Sequence, residues 1–328
     1  MRIGVVEVGH WHAQGYIDRV VKLGLPIVAV SDRDPGTARQ RASQLGCRAY
    51  TDCAELLDKE APDFVFAHGI HCEMTDIADV LVEHGTPFVM EKPMGVDWRR
   101  LASVADKAED KGLFAGVDLP ARCYPLVREL LRLKASGELG RIISYSQRLF
   151  AGEPQRYRDW GVPWVLDPKQ AGGGPLFNFG PHVIDLFLLL SGQEVHRVFC
   201  TSSRELHGLE IEDRSTVLLS TAEGGMASLE VGYVCPDAMY DQNVSLCTDS
   251  LYVSTSSFDT ATVSFRDGRT SEVGAGGAGQ ALDYVAETLR RFEAGSPPVA
   301  TVRDMCRALR VINAAVESAE ALMPIALD

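Results

Sequence analysis

The 328-residue sequence predicts an α/β fold class: a doubly wound parallel sheet over residues 1–118, then an α+β domain with a mostly antiparallel sheet over residues 119–328. Three observations predict it. The length is too great for one small domain and comfortable for two. Across the first 118 residues, continuous apolar runs alternate with amphipathic stretches, as expected of strands buried on both faces and separated by helices. Beyond Pro120 the pattern changes to successive segments with period-two side chains.

The first strand is read at Ile3–Val6, followed by a helix from His12 to Leu23 that ends at Gly24. A strand at Ile27–Val30 leads through Ser31-Asp32 to a helix at Pro35–Leu45, with proline early and Gly46 just past its end. Strands at Asp63–Ala67, Pro87–Met90 and Leu113–Val117 alternate with helices at Glu73–Glu83 and Asp97–Lys111, stopped by Gly85 and Gly112. In the second half a helix at Pro125–Lys134 precedes strands at Arg141–Leu149, Val195–Ser202, Ser215–Thr221, Met226–Tyr233, Asn243–Cys247 and Ala261–Phe265. Gly224-Gly225 and Asp267-Gly268 supply turn chemistry. An apolar helix is expected at Val183–Leu190, a short loop at Gly274–Gly279, and closing helices near Gln280–Glu293 and Val302–Leu322.

Composition narrows the function. With 46% hydrophobic and 23% charged residues the chain is ordinary for a packed protein. Its net charge of −13 argues against nucleic acid or an anionic membrane as the main partner, since either needs a basic patch. No stretch approaches the roughly 18 apolar residues of a membrane span. The N-terminus runs straight into a strand pattern without a signal-peptide core, so a cytoplasmic location is expected. Eight scattered cysteines without a C-x-x-C pair read as buried thiols. No G-x-S-x-G elbow, H-E-x-x-H helix or G-K-[ST] loop is present.

The first strand–helix turn is where a dinucleotide fingerprint G-x-G-x-x-G would stand, its glycines permitting a tight turn and close approach of pyrophosphate. Here it reads Glu7-Val8-Gly9-His10-Trp11-His12, keeping only the central glycine. The helix N-terminus behind it still attracts an anion. Asp32 ends the next strand near the spacing expected of a carboxylate that binds a ribose; it equally suits the start of a turn with Asp34-Pro35. Arg33 beside it tolerates a 2′-phosphate, so NAD is favoured over NADP only slightly. His10, His12, His68, His71 and Cys72 all fall on loops at one edge of the sheet, but their spacing matches no zinc pattern, and no metal is expected.

Three segments in order resemble the Gfo/Idh/MocA oxidoreductases, the family of inositol 2-dehydrogenase and glucose–fructose oxidoreductase. Glu91-Lys92-Pro93 is similar to its E-K-P motif. The run Gly172-Gly173-Gly174-Pro175-Leu176-Phe177-Asn178-Phe179-Gly180-Pro181-His182-Val183-Ile184-Asp185 resembles its G-G-G-x-L-x-D-x-G-x-H-x-x-D segment. Pro297-Pro298-Val299 and Ala308 to Ala315 resemble its C-terminal helix, with weaker echoes at Arg122-Cys123-Tyr124-Pro125 and Trp164–Pro168. The resemblance implies a Rossmann domain followed by an open-faced domain for substrate binding and oligomerisation, as a homodimer or homotetramer. It implies NAD or NADP bound between the domains, Lys92 near both nicotinamide and substrate, His182 beside the reacting hydroxyl with position 178 as companion, Arg122 at the substrate, and Trp164 near the nicotinamide. Gly9, His10, Trp11, His12, Asp32, Arg33, Ala67, His68, His71, Glu91 and Lys92 are expected to complete the cofactor site.

The sequence departs from that pattern at Glu7 and His12, which replace fingerprint glycines, and at Asn178, where aspartate is usual. Gly69–Met74 replaces the family's T-P-x-x-x-H, and Val165 stands where arginine is common. Asparagine hydrogen-bonds but cannot serve as a carboxylate base. The expected activity is hydride transfer between nicotinamide and a hydroxyl-bearing carbon of a small polyhydroxylated substrate, with Lys92 and His182 sharing proton transfer. A cofactor-binding sensor without catalysis and a cofactor-retaining hydrolase or lyase are the alternatives.

Overall fold

The computed structural model describes residues 1–274 and 282–327. Its first half is a parallel sheet wrapped by helices: β1 (Ile3–Val6), α1 (Ala13–Lys22), β2 (Ile27–Ser31), α2 (Pro35–Leu45), β3 (Arg48–Tyr50), α3 (Cys53–Glu60), β4 (Phe64–Ala67), α4 (His71–Glu83), β5 (Phe88–Met90), α5 (Trp98–Asp110) and β6 (Ala115–Val117). Strand order is β3-β2-β1-β4-β5-β6. β1 and β4 are fully buried, so their sequences carry no alternation. In α2, Asp34 accepts from the Thr37 amide, Pro35 opens the helix, and Gly46 closes it at φ 66°. The register aligns Val6 with Ser31 and Ala67, and Ala67 with Met90. The loops after β1, β4 and β5 therefore leave the sheet side by side. Strand order reverses between β1 and β4, the place where open α/β sheets bind ligands.

β3 and α3 escape the sequence reading. Arg48-Ala49-Tyr50 is a three-residue edge strand, mostly exposed and without an apolar run to announce it.

The second half contains α6 (Pro125–Ala135), β7 (Ile142–Ala151), α7 (Gln155–Asp159), α8 (Pro168–Ala171), α9 (Pro175–Ser191), β8 (Val195–Ser203), β9 (Arg214–Thr221), β10 (Met226–Gly232), β11 (Tyr240–Thr248), β12 (Leu251–Thr255), β13 (Ala261–Phe265), β14 (Thr270–Val273), α10 (Tyr284–Glu293), α11 (Val302–Ala321) and β15 (Ile325–Ala326). They build a sheet in the order β14-β13-β12-β11-β7-β10-β9-β8-β15. Its neighbours are antiparallel except β7 and β10, which run parallel. The predicted start of a helix at Gln280 and the loop beyond Gly274 lie outside the described residues. No described helix is long and apolar enough to cross a membrane.

The largest correction concerns α9, which begins at Pro175 rather than Val183. Pro181 lies inside this helix, which continues through it. Glu212 helps set the start: its carboxylate accepts from the Gly174 and Leu176 amides at 2.8 and 3.0 Å. A Cβ on Gly174 would lie 2.3 Å from the Glu212 carbonyl oxygen, so that position admits only glycine. Asn178 and His182 consequently share one helix face, four residues apart.

The C-terminal helices return to the first sheet. The Tyr284 hydroxyl donates to the Val117 carbonyl, Phe292 packs on Phe64 and Phe114, and Asn313 bonds both Val96 and Trp98 at the start of α5. Arg122, expected at the substrate, is instead a buried junction. It donates to both oxygens of Asp185 on α9, to the Val299 carbonyl at 3.0 Å and to Asp304 on α11 at 3.1 Å. Replacing it strands the buried Asp185 carboxylate and takes one partner from the part-exposed Asp304, so Arg122→Met is expected to lower unfolding free energy by about 3–5 kcal/mol in urea titration. A loss below about 1 kcal/mol would place the junction outside the folding core.

Candidate active site

The loop after β1 carries the first part of the site. The Gly9 amide donates to Asp32 Oδ2 at 2.6 Å, and a Cβ there would meet the same oxygen at 2.8 Å, which accounts for the one glycine retained. Asp32 Oδ1 accepts from the Asp34 amide at 2.9 Å. The carboxylate thus builds the turn, and it also lines a cavity of about 220 Å³ with Gly9, His10, Arg33, Thr37 and Trp164. Glu7 adopts φ 55°, a left-handed conformation that costs a non-glycine residue about 1–2 kcal/mol. Its side chain is held by the Arg33 amide and Nε at 3.2 and 3.0 Å, and Arg33 also pairs with Glu73. Burial pushes the Glu7 carboxyl up, against the pull of Arg33.

Histidines line the neighbouring wall. The His10 ring stacks on Trp11 at 3.9 Å and on His68 at 5.5 Å. Its Nδ1 accepts from the His12 amide at 3.2 Å, leaving Nε2 as a buried donor without a partner. His68 donates to the Val6 carbonyl, and His71 to the Ala171 carbonyl, at 3.2 and 2.9 Å. Burial pushes His68 down to about 4 and His71 to about 3, so both rings are neutral. Trp164 packs edge-on against His71 and near Trp11; it borders the Asp32 cavity rather than the one beside Lys92. Ala67 contributes its carbonyl, which accepts from the Glu91 amide at 2.9 Å.

Across the crevice, Lys92 leaves the end of β5 and reaches α9. Its Nζ donates to the Asn178 carbonyl at 3.0 Å and to Asn178 Oδ1 at 2.7 Å. Asn178 Nδ2 donates in turn to the hydroxyls of Tyr157 and Tyr233 at 2.7 and 3.0 Å. Burial lowers the Lys92 pKa, opposed by the charges of Glu91 and Asp118. Glu91 Oε2 lies 2.8 Å from His12 Nδ1 and Oε1 lies 3.7 Å from Lys92 Nζ. Burial alone would raise the Glu91 carboxyl, but His12 and Lys92 hold it well below the usual carboxylate range. His182, one turn beyond Asn178, is pushed down to about 3 by burial and the Lys92 charge.

Lys92, Asn178 and His182 all line a cavity of about 300 Å³, which Trp11, His12 and Tyr157 also border. The sequence therefore names the polar centre of this cavity. It misses Arg156, Tyr157, Trp160 and Tyr240, which complete the wall, and Tyr233 behind Asn178. Those residues sit on a five-residue helix, its flanking turn and strand ends, where periodicity carries no signal. His10, His12 and Glu91 bring ligand-type atoms within 4.8 Å of one another. Within this group Glu91 is already bonded to His12 and faced by Lys92 Nζ.

Comparison with known proteins agrees with this architecture. Residues 1–119 match the model of the oxidoreductase family with an NAD-binding Rossmann fold, and residues 127–250 match the GFO/IDH/MocA C-terminal domain. The chain belongs to the Gfo/Idh/MocA oxidoreductases. It is 25% identical over 310 residues to D-xylose 1-dehydrogenase (NADP(+)) 2 of Haloferax volcanii, covering 92% of this chain and 91% of that one. It is 27% identical over 200 residues to rabbit (Oryctolagus cuniculus) trans-1,2-dihydrobenzene-1,2-diol dehydrogenase, covering 60% of this chain and 58% of the relative. An inositol dehydrogenase homologue from Azotobacter vinelandii, solved with NAD+, shares the fold at TM-score 0.84 and 19% identity over 100% of this chain and 97% of that one.

This Gfo/Idh/MocA chain keeps a site that fits the family's dinucleotide despite its altered fingerprint. Glu7 is bound to Arg33, α1 begins without a side-chain cap, and the His10 Nε2–H is a buried donor in want of an acceptor. The neutral histidines have a cost in acid. His68 and His71 titrate at about 4 and about 3 in the fold, well below the 6.5 of a free imidazole. Protonation thus favours the unfolded chain; the stabilisation is complete above pH 6.5 and is lost as pH falls towards 4. Each ring contributes up to about 1.4 kcal/mol per pH unit in that window. Between pH 7.5 and pH 5.5 the His71→Asn variant is expected to lose about 1.4 kcal/mol less stability than the parent in urea denaturation; an equal loss in both would contradict a neutral buried ring at His71.

Proposed function

We propose that this protein is an NAD-preferring dehydrogenase that transfers a hydride between nicotinamide and a hydroxyl-bearing carbon of a sugar, inositol or related cyclic polyol. One observation carries the reading: a lysine with a lowered pKa, a neutral histidine and an amide converge on one cavity between the two sheets. The dinucleotide supplies the hydride acceptor or donor when bound. Lys92 holds or removes the hydroxyl proton at Nζ, because burial brings its titration towards the working range. Asn178 fixes that amine with two acceptors. His182, uncharged, offers a hydrogen bond to the reacting oxygen or its neighbour without adding charge.

The preference for NAD rests on the first cavity. The Arg33 guanidinium is committed to Glu7 and Glu73, and the Asp32 carboxylate shares the space, so a 2′-phosphate would meet carboxylates and an arginine already paired. The relative from Haloferax is named for NADP+, and a paired comparison of both dinucleotides by fluorescence titration decides the point. The aromatic wall of Trp11, Tyr157, Trp160 and Phe179 suits the apolar face of a pyranose or cyclitol, and equally a dihydrodiol of the kind that the rabbit relative's name describes.

Lys92→Met is expected to lower kcat/KM by about 10²–10⁴-fold while leaving NAD affinity within about threefold. Bound NAD without turnover on any aldose, cyclitol or cyclic diol would overturn the reading in favour of a sensor. Asn178→Asp would set a carboxylate beside the ammonium and favour its charged form. The alkaline rise in oxidation rate, which needs neutral Lys92, is expected to move up by about one pH unit or more. An unmoved profile would remove Lys92 from proton transfer.

A further inference from the structure

We propose that Glu91 and His12 form a proton wire connecting the buried Lys92 amine to solvent, with His12 as its outer terminus. The proposal rests on the reading that Lys92 handles the substrate proton, and it assigns a task to a side chain that stands where the fingerprint has glycine.

Each oxidation leaves one proton on an amine whose side chain is only 3% exposed. Two acceptors around that amine belong to Asn178, and an amide is neither acid nor base near neutrality. The tyrosine hydroxyls beyond it are joined to it through the amide Nδ2, so they offer no through-path for the proton. Among the described residues, Glu91 is the one that brings a carboxylate within 4.0 Å of Nζ. Its Oε1 is buried without a hydrogen bond of its own and lies 3.7 Å from Nζ, while Oε2 sits 2.8 Å from His12 Nδ1. The His12 side chain is 44% exposed and borders both the Lys92 cavity and an adjoining one of about 300 Å³ lined by Arg19, Asp118 and Tyr284. Imidazole is the side chain suited to exchange a proton with water near neutral pH. The titratable groups that feel the Glu91 charge include Lys92, His10, His68, His71, His182 and Asp118 besides His12, and among these His12 is the exposed one.

The step balances. In the oxidation direction the alcohol carbon yields a hydride, with its electron pair, to oxidised nicotinamide, and the hydroxyl proton forms an N–H bond at Lys92 Nζ. The ammonium then gives a proton to Glu91 Oε1, and the carboxyl turns about its last side-chain bond. His12, whose Nδ1–H donates to the carboxylate at rest, shifts its proton to Nε2 through water. It then takes the Glu91 proton at Nδ1 and releases the one on Nε2 to water, which restores its first tautomer. Lys92 and Glu91 end in their starting states. Reduction runs the same transfers in reverse.

Two readouts test the wire, and the first needs neither substrate nor cofactor. In ¹⁵N-lysine-labelled apoprotein, exchange of the Lys92 Nζ protons with water is expected to slow by about tenfold or more in His12→Gln and in Glu91→Gln. His12→Gln keeps a hydrogen bond to Glu91 but carries no proton. His12→Ala, which only widens the opening to solvent, would speed exchange if His12 were a plug, and is expected to slow it. Second, kcat of His12→Ala is expected to fall and to recover with added imidazole in proportion to its concentration. Exchange in His12→Gln equal to the parent, or turnover indifferent to imidazole, would overturn the wire. Full turnover in Lys92→Met would instead overturn the catalytic reading beneath it, so the two failures are distinguishable.

Discussion

A buried ammonium must find acceptors, and the Lys92 amine finds two on a single residue of the other half of the chain. That contact between the end of β5 and α9 fixes the distance between the Rossmann sheet and the helix that presents Asn178 and His182. It also explains why asparagine serves where a carboxylate is usual in the family. The amide oxygen satisfies the lysine, and the amide nitrogen satisfies two tyrosine hydroxyls, without bringing a further negative charge next to Glu91. A buried network of this kind adds little net stability, but it penalises every arrangement that leaves a member unpaired.

Arg122 repeats the logic away from the chemistry. Its guanidinium gathers Asp185 of α9 and Asp304 of α11 into one buried junction, while α10 and α11 pack back on the first sheet. α9 is thereby held at two points, at Asn178 by Lys92 from the first half and about two turns further on at Asp185 by Arg122 of its own half. Position 185 lies three residues beyond His182, so the junction anchors the same stretch of α9 that carries His182.

The altered fingerprint shows how a loop tolerates side chains where glycines are usual. Glu7 turns to Arg33, and His12 turns to Glu91; each intruding side chain is matched by a residue of opposite charge character on a neighbouring loop. Only Gly9 has no such freedom, because the Asp32 carboxylate occupies the place of its Cβ. Steric contact with a fixed group therefore decides which glycine stays.

Much of this was legible in the chain. The continuous strands at Ile3–Val6 and Phe64–Ala67, the proline-to-glycine limits of α2, and the E-K-P and glycine–histidine segments are local signals, since backbone propensity and nearest-neighbour burial act over a few residues. They determined the order of elements, the parallel sheet, and the identity of Lys92, Asn178 and His182. Other features depend on groups far apart in sequence. The start of α9 at Pro175 depends partly on Glu212, the diversion of Arg122 on Asp185 and Asp304, and the aromatic wall on residues from α7 and β11. Hydrogen bonds and ion pairs fall off within a few ångströms, so the partner that settles a side chain's role is known only once folding has set the distances; the tertiary structure alone decided those.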